Sequence, residues 1–359
     1  MTRAVNMMDS GGKALACCGA PKRQQQRNRV GGRVPLLRSG AINLFINLPC
    51  PLQEVAKGVI GDFVQLYNAS HDIPIFSPML TDVDVSNIDG DLNAARTEDE
   101  MPDVLVASGL HTVLSKTFRE KFVDSGVYTG LTGDDALCRM PHSQRALLQA
   151  NNIGIFAAGF WRMVCDLSIT PCVPSPREWT DLVDPLYKNL VTVHGHHGRA
   201  RITSLLMILK ERLGTSAVSQ LAENVRHIWH FDDIMKRIDS PYAGRTPFNL
   251  LPNAAIVKMP SHKRIAILEF DDGPIISPIL MFVKTSRLEE CRPVINFLNS
   301  MIMRDLLHRG GFVMADEFEW SKPFSYPSWD FLLNGDYGLT VSGLDHEFKN
   351  SIRQGVFRM

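Results

Sequence analysis

The chain lacks an excess of charge of either sign: 38 Lys and Arg face 38 Asp and Glu. A basic surplus would mark a nucleic-acid partner and an acidic surplus a solvating tail, and neither is present. It also lacks any run of 18 apolar residues, so no segment is expected to span a bilayer. The first 35 residues hold no apolar stretch of secretion-signal length, because Asp9 and Lys13 interrupt it. The sequence as given therefore reads as cytoplasmic, and as periplasmic if the true start lies elsewhere. Cysteine is sparse and odd in number, with Cys17, Cys18, Cys50, Cys138, Cys165, Cys172 and Cys291 scattered along the chain. That pattern excludes a disulfide framework and reads as free thiols. The phosphate loop G-x-x-x-x-G-K-S/T, the dinucleotide fingerprint G-x-G-x-x-G, the zinc-protease H-E-x-x-H and the nucleophile elbow G-x-S-x-G are all missing, which weakens an enzymatic reading.

What is there is an ordinary globular composition, 45% hydrophobic and 21% charged over 359 residues, a length that suits two domains. Residues 1–38 are polar and rich in Gly, Arg and Gln, and read as a mobile arm. From Ala41 onward strands alternate with helices. The expected strands are 42–48, 73–76, 103–107, 190–193, 254–259, 264–270 and 278–285. Helices are expected over 51–67, 111–122, 202–209, 216–226, 232–238 and 288–308. This alternation predicts an α/β sheet of mainly parallel strands, with ligands held by loops beyond the strands' carboxyl ends.

The stretch Asn189 to Leu209 is the most informative. The buried strand Leu190–Val193 runs into His194-Gly195-His196-His197-Gly198, and then Ile202, Leu205, Leu206 and Leu209 repeat at helical spacing. A helix start carries free N–H groups and partial positive charge. The loop and helix start, assisted by Arg199 or Arg201, therefore suit an anion. The three histidines also suit a transition metal, although no second set of ligands stands at metal spacing. An ordinary polar turn is the third reading. Cys50, between two prolines at a strand-to-helix turn, is either a reactive thiolate or a small residue fitted to the turn. Ser108-Gly109 ends a strand, where it offers a hydroxyl and N–H groups or simply turns the chain. Asp271-Asp272 orients a ligand or caps a turn. Phe160 and Trp161 pack on a ligand or in the core.

The run Pro176-Arg177-Glu178-Trp179-Thr180-Asp181-Leu182-Val183-Asp184-Pro185-Leu186-Tyr187-Lys188-Asn189-Leu190-Val191, together with Asp272 to Ile279, Val283-Lys284 and Gly310-Gly311-Phe312, resembles the extracellular solute-binding proteins of bacterial ABC transporters. The resemblance is to the branch with ferric-iron, thiamine and polyamine binders, and it covers about 41–318. It implies the two-lobed α/β "Venus flytrap" fold of type II periplasmic binding proteins, with two crossover segments. Lobe 1 would be 41–155 plus 276–359 and lobe 2 156–275. The implied function is non-enzymatic capture of a small polar ligand, an anion or a metal complex, as an ABC-transporter component or a cytoplasmic sensor. Ligand contacts would come from Cys50, Ser108 and Asp272 on or near lobe 1, and from His196, His197 and Asn249 on lobe 2. No cofactor is implied beyond a bound metal, and the partners are the ligand and an ABC permease, without nucleic acid. The adjacent tyrosines of ferric-binding members have no counterpart, since that region reads Thr246-Pro247-Phe248-Asn249-Leu250. An enzyme using Cys50 or the His194–His197 loop is the alternative. A third reading has the aromatic tail after Glu319 docking on another chain.

Overall fold

The computed structural model describes residues 37–81, 92, 94–108, 113–169, 173–196 and 199–356. Residues 1–36 of the expected arm, with the adjacent Cys17-Cys18 pair, lie outside them, as do Gly109, Cys172 and His197. Among the described residues twelve strands form one continuous sheet. They are β1 (Ile42–Asn47), β2 (Ile75–Phe76), β3 (Val104–Ser108), β4 (Tyr128–Gly130), β5 (Ile155–Asp166), β6 (Val191–His196), β7 (Arg199–Ala200), β8 (Val225–Trp229), β9 (Phe248–Pro252), β10 (Ile265–Leu268), β11 (Ile275–Lys284) and β12 (Phe312–Met314).

Two long antiparallel strands organise this sheet. The first half of β5 pairs with the first half of β11, Trp161 opposite Ile275 and Ala157 opposite Ile279. Beyond Trp161, β5 pairs with β9 and β10. Beyond Ser277, β11 pairs with β3 and β4. The sheet therefore divides about a central ribbon, with β2, β1 and β3 to one side and β9, β6 and β8 to the other. These two strands fall on the segments expected as crossovers. β1 lies parallel to β3, and β6 parallel to β9 and β8, as α/β connections require.

Apolar residues cover both parts. Ile42, Leu44 and Ile46 of β1 and Val104 and Val106 of β3 pack under the helix Cys50–Asn68, through Leu52, Ala56 and Ile60, and under the helices Arg292–Leu298 and Met301–Arg309. Val191 and Val193 of β6 and Leu250 of β9 pack under the helix Thr203–Leu213, which is buried at every position from Leu205 to Leu209. Two inward carboxylates are paired, as buried charges must be. Asp103 meets Lys284 at 3.1 Å and Arg287 at 2.6 Å, and Asp166 meets Arg245 at 2.6 Å.

Several expectations are corrected. Residues 253–256 form a helical turn rather than a strand, because the strand has already run from Phe248 and ends at Pro252. The helix expected over 288–308 is two helices, broken at Asn299 and restarted by Ser300, whose hydroxyl accepts from the Met303 N–H. The helix expected over 111–122 narrows to Lys116–Phe118 and continues as a wider π-helical stretch through Val123. The aromatic tail is no free docking arm. Trp320, Tyr337, Leu344 and Phe348 are buried in this chain's own core. The helix Tyr337–Val356 packs on the helices Ser216–Asn224 and Thr203–Leu213.

The motif around Trp179 has a physical explanation. Asp181 accepts from the Arg177 and Glu178 N–H groups at 2.7 and 3.0 Å. Asp184 accepts from the Leu186 N–H at 2.8 Å. Asn224 donates to the carbonyls of Leu182 and Asp184. The fully buried Trp179 indole then donates to the Gly273 carbonyl at 2.7 Å, which fixes the turn that feeds β11.

Candidate ligand-binding site

Strand ends converge on the middle of the β5–β11 ribbon. β3 ends at Ser108, opposite Ile279. β1 ends two residues before Pro49 and the helix that starts at Cys50. From the other side β9 ends at Pro252, opposite Trp161, and the parallel β6 runs on to His196. Carboxyl ends of strands are where open α/β sheets bind ligands.

A cavity of about 160 Å³ opens beside this ribbon, on its β9 and β6 side. Its sides are Trp161 of β5, Leu250 of β9, Ile275 and Ser277 of β11, and Tyr337 of the terminal helix. Its remaining wall is the continuous run Arg201 to Leu205, the start of the helix Thr203–Leu213. The first N–H groups of a helix have no intrahelical acceptor, and no side chain caps this one. The Thr203 and Ser204 hydroxyls and the exposed Arg201 add donors and charge. Arg201 is anchored through its N–H to the His194 carbonyl at 2.9 Å. Burial, aided by the Asp345 charge, pushes the Tyr337 phenol well up, so it faces the cavity as a neutral hydroxyl. The site thus combines apolar walls with convergent donors at one end, which suits a small ligand bearing anionic oxygens.

Local sequence builds this geometry. The turn β6–β7 pairs Gly195 with Ala200, and a Cβ on Gly195 would lie 2.2 Å from Ile228 and 2.4 Å from the Arg199 carbonyl. Only glycine allows the close approach that returns the chain to the helix start. His194 turns its ring into an aromatic cluster, 5.8 Å from Trp161 and 5.4 Å from both His230 and Phe231 between ring centres.

The residues expected at the site fare differently. Ser108 and the backbone of His196 stand at strand ends facing the ribbon. The side chains of Cys50 and His196 and all of His197 lie outside the described residues, although Cys50 does open its helix. Asn249 is buried opposite Val164, three residues or about 10 Å beyond Trp161, and its amide donates to the Thr246 carbonyl. It belongs to the packed interior. Asp272 binds Arg212 at 2.5 Å and accepts from Ser325 at 3.0 Å. Arg212 is nine residues past Thr203, so this ion pair sits about 14 Å along the helix from the cavity. Thr203 and Ser204 went unread in the sequence, although two hydroxyl residues opening an apolar period are a helix-start signal. Tyr337 had no signal, because only folding brings the tail there. Among the described residues no three His, Cys, Asp or Glu side chains gather as a metal site.

The fold and the site define a two-lobed α/β ligand-binding protein of the periplasmic type II class. Residues 99–334 match the family model "Bacterial extracellular solute-binding protein", and the chain belongs to that family. No curated protein matches it in sequence. Solved structures share the fold at low identity. A putative extracellular solute-binding protein from Bordetella parapertussis is 11% identical with a TM-score of 0.57, over 88% of this chain and 100% of that one. The apo ferric ion-binding protein A of Pasteurella haemolytica is 12% identical with a TM-score of 0.55, over 89% and 98%. A Trichodesmium protein in complex with iron and citrate is 11% identical with a TM-score of 0.55, over 88% and 99%. The family consists of binding proteins, so the enzymatic reading of Cys50 and the His194–His197 loop falls. Among the described residues no helix is long and apolar enough to cross a membrane.

Proposed function

We propose that the chain is the receptor of an ABC transporter and that it captures a small anion, free or as part of a metal complex, in the cavity at the start of the helix Thr203–Leu213. The observation that carries this reading is the uncapped helix start, flanked by Arg201, Thr203 and Ser204, opening into a cavity walled by the β5–β11 ribbon, β9 and the terminal helix. An engineered cavity of about 150 Å³ takes up benzene, so 160 Å³ suits a ligand core of similar size, such as a small carboxylate. The iron and citrate bound by the Trichodesmium protein support a carboxylate-bearing complex as one candidate.

The proposed lobes are 41–155 with 276–336, and 156–275 with the terminal helix, which packs on helices of the second lobe. Ligand bridging both lobes would favour closure about the β5–β11 ribbon. Ser108, Cys50, His196 and His197 are proposed as contacts that closure brings to the ligand. The proposed partner is a permease, and the proposed place of work is the extracellular side that the family description names. Native mass spectrometry with metal analysis of freshly purified protein tests this first. Thermal-shift measurements with citrate, phosphate, sulfate and acetate follow, since a binder gains about 2.7 kcal/mol at a hundredfold excess over Kd. A bound anion or metal complex, or a shift that Arg201→Ala weakens, supports the reading. No bound species and no shift with any of these anions sinks it.

A further inference from the structure

Phe160 and Trp161 are neighbours on β5, and strand alternation sends them to opposite faces. Phe160 stacks on Phe318 of the tail, 5.9 Å between ring centres. Trp161 turns the other way and lines the cavity beside the start of the helix Thr203–Leu213. Its surroundings on that face are apolar. Ile275 of β11 stands directly opposite it, and Leu250 of β9 stands two residues from Pro252, its partner on the other side. Residues placed this way share one face and lie within reach of a large side chain. Ile275 and Leu250 are almost wholly buried, whereas Trp161 is only half-buried. The indole is therefore the apolar surface that this cavity leaves for a ligand.

The charged part of the lining is equally limited. Among the described residues that line the cavity, Arg201 alone carries a charge, and it is exposed. The part-exposed hydroxyls of Thr203, Ser204 and Ser277 add neutral donors. One guanidinium pairs well with one carboxylate. A second negative charge on the ligand would meet no cation in the lining, and removing an unpaired charge from water is costly. The face of an aromatic ring is itself electron-rich, so it repels the oxygens of an oxyanion and favours an apolar body.

We infer that this cavity selects a monoanion with a flat apolar body, its carboxylate at Arg201 and its ring against Trp161. The inference rests on the anion reading given above and narrows it, because it excludes multiply charged anions and bare inorganic oxyanions. Size agrees. A cavity of about 150 Å³ holds benzene, so one of about 160 Å³ takes a single ring, with the carboxylate at the exposed end. Trp161 is then the residue that determines specificity, and Arg201 the one that sets the charge.

Calorimetric titration of the full chain at constant ionic strength tests this, with benzoate, acetate, benzamide, citrate and phosphate as probes. Saturable benzoate binding is expected. Acetate should bind about tenfold more weakly for want of the ring, and benzamide about tenfold more weakly for want of the charge. Citrate and phosphate should both bind more weakly than benzoate. Trp161→Ala should cost benzoate about tenfold more than it costs acetate. A thermal melt checks that this variant folds, and if it does not, the ranking on wild type decides alone. Acetate, citrate or phosphate binding more tightly than benzoate overturns the inference and leaves the anion reading standing. An equal loss of benzoate and acetate in folded Trp161→Ala overturns it too. Benzamide as tight as benzoate, or no binding by any probe, takes the anion reading down with it.

Discussion

Arg201 is the residue on which the proposed anion capture turns most directly. It is exposed, so water screens its charge, and its contribution is smaller than that of a buried guanidinium. Arg201→Ala should weaken binding of a small carboxylate or oxyanion about tenfold, the low end for a hydrogen bond to a charged group. The loss should shrink as salt rises, because the screening length falls from about 10 Å at 0.1 M to about 3 Å at 1 M. Calorimetry at two ionic strengths reads both effects. Arg245 is a different case. It neutralises Asp166, whose side chain is wholly buried. Arg245→Ala leaves that carboxylate without its charge partner, and about 3–5 kcal/mol of stability should go. Chemical denaturation measures this, and a change under 1 kcal/mol would show that Ser168 and the Asp239 amide suffice.

The strand–turn–helix unit from Val191 to Leu213 acts as an element. Its turn depends on Gly195, where any Cβ collides with Ile228 and the Arg199 carbonyl. Gly195→Val should open the β6–β7 pair and displace Arg201 and the helix start. Anion binding should be lost while far-UV circular dichroism stays near wild type. Retained binding would mean that the turn does not position the site. The terminal helix is the second such element. Val341, Leu344 and Phe348 are buried against the helices Thr203–Leu213 and Ser216–Asn224. Removing residues 337–359 would expose those faces, at roughly 1.5–3 kcal/mol for each large apolar side chain uncovered. A truncated chain should therefore aggregate or melt far earlier than the full chain. A cooperative melt within a few degrees of wild type would refute the packing role. β1, β2, β3, β6, β10 and β11 were legible because apolar periodicity follows directly from burial on one face, whereas β5, β9 and the helix Tyr337–Val356 were not read from it. Misreadings came where proline or a short cap overrode periodicity, as at Pro252 and Ser300.

At the scale of the molecule, stability should fall on the acid side. Burial pushes the Asp166 carboxyl up. The hydrogen bonds from Ser168 and the Asp239 amide and the charge of Arg245 outweigh burial and hold it below its ordinary value. Burial likewise raises Glu317, but Arg304, the Met314 amide and His308 bring it below. A carboxyl with a depressed folded value stabilises the fold above its unfolded value, about 3.9 for Asp and 4.3 for Glu. That stabilisation is lost as pH falls through the folded value. Stability should change little through these groups from neutral pH down to about 5, then drop as pH falls through 4 and below. Urea denaturation at stepped pH tests the sign, and greater stability at pH 3 than at pH 7 would reverse it.

The sequence by itself determined the class. Alternating strands and helices, the Trp179 motif with its turn-capping carboxylates, and the apolar run of β11 are local patterns. Local hydrogen bonding and one-sided burial impose them wherever they occur. It also singled out the loop and helix start around Arg201, because helix polarity is a property of the backbone. Only the tertiary structure decided what surrounds that helix start. Tyr337 reaches the cavity from 134 positions beyond Thr203 in the chain, by packing that no local pattern encodes. Asn249 and Asp272 were expected as ligand contacts, yet a carbonyl three residues away and an arginine 60 residues away engage them. One alternative reading made the aromatic tail a surface for another chain, whereas it completes this chain's own core. Long-range contacts depend on how the whole sheet folds, so residue type and spacing alone do not determine them.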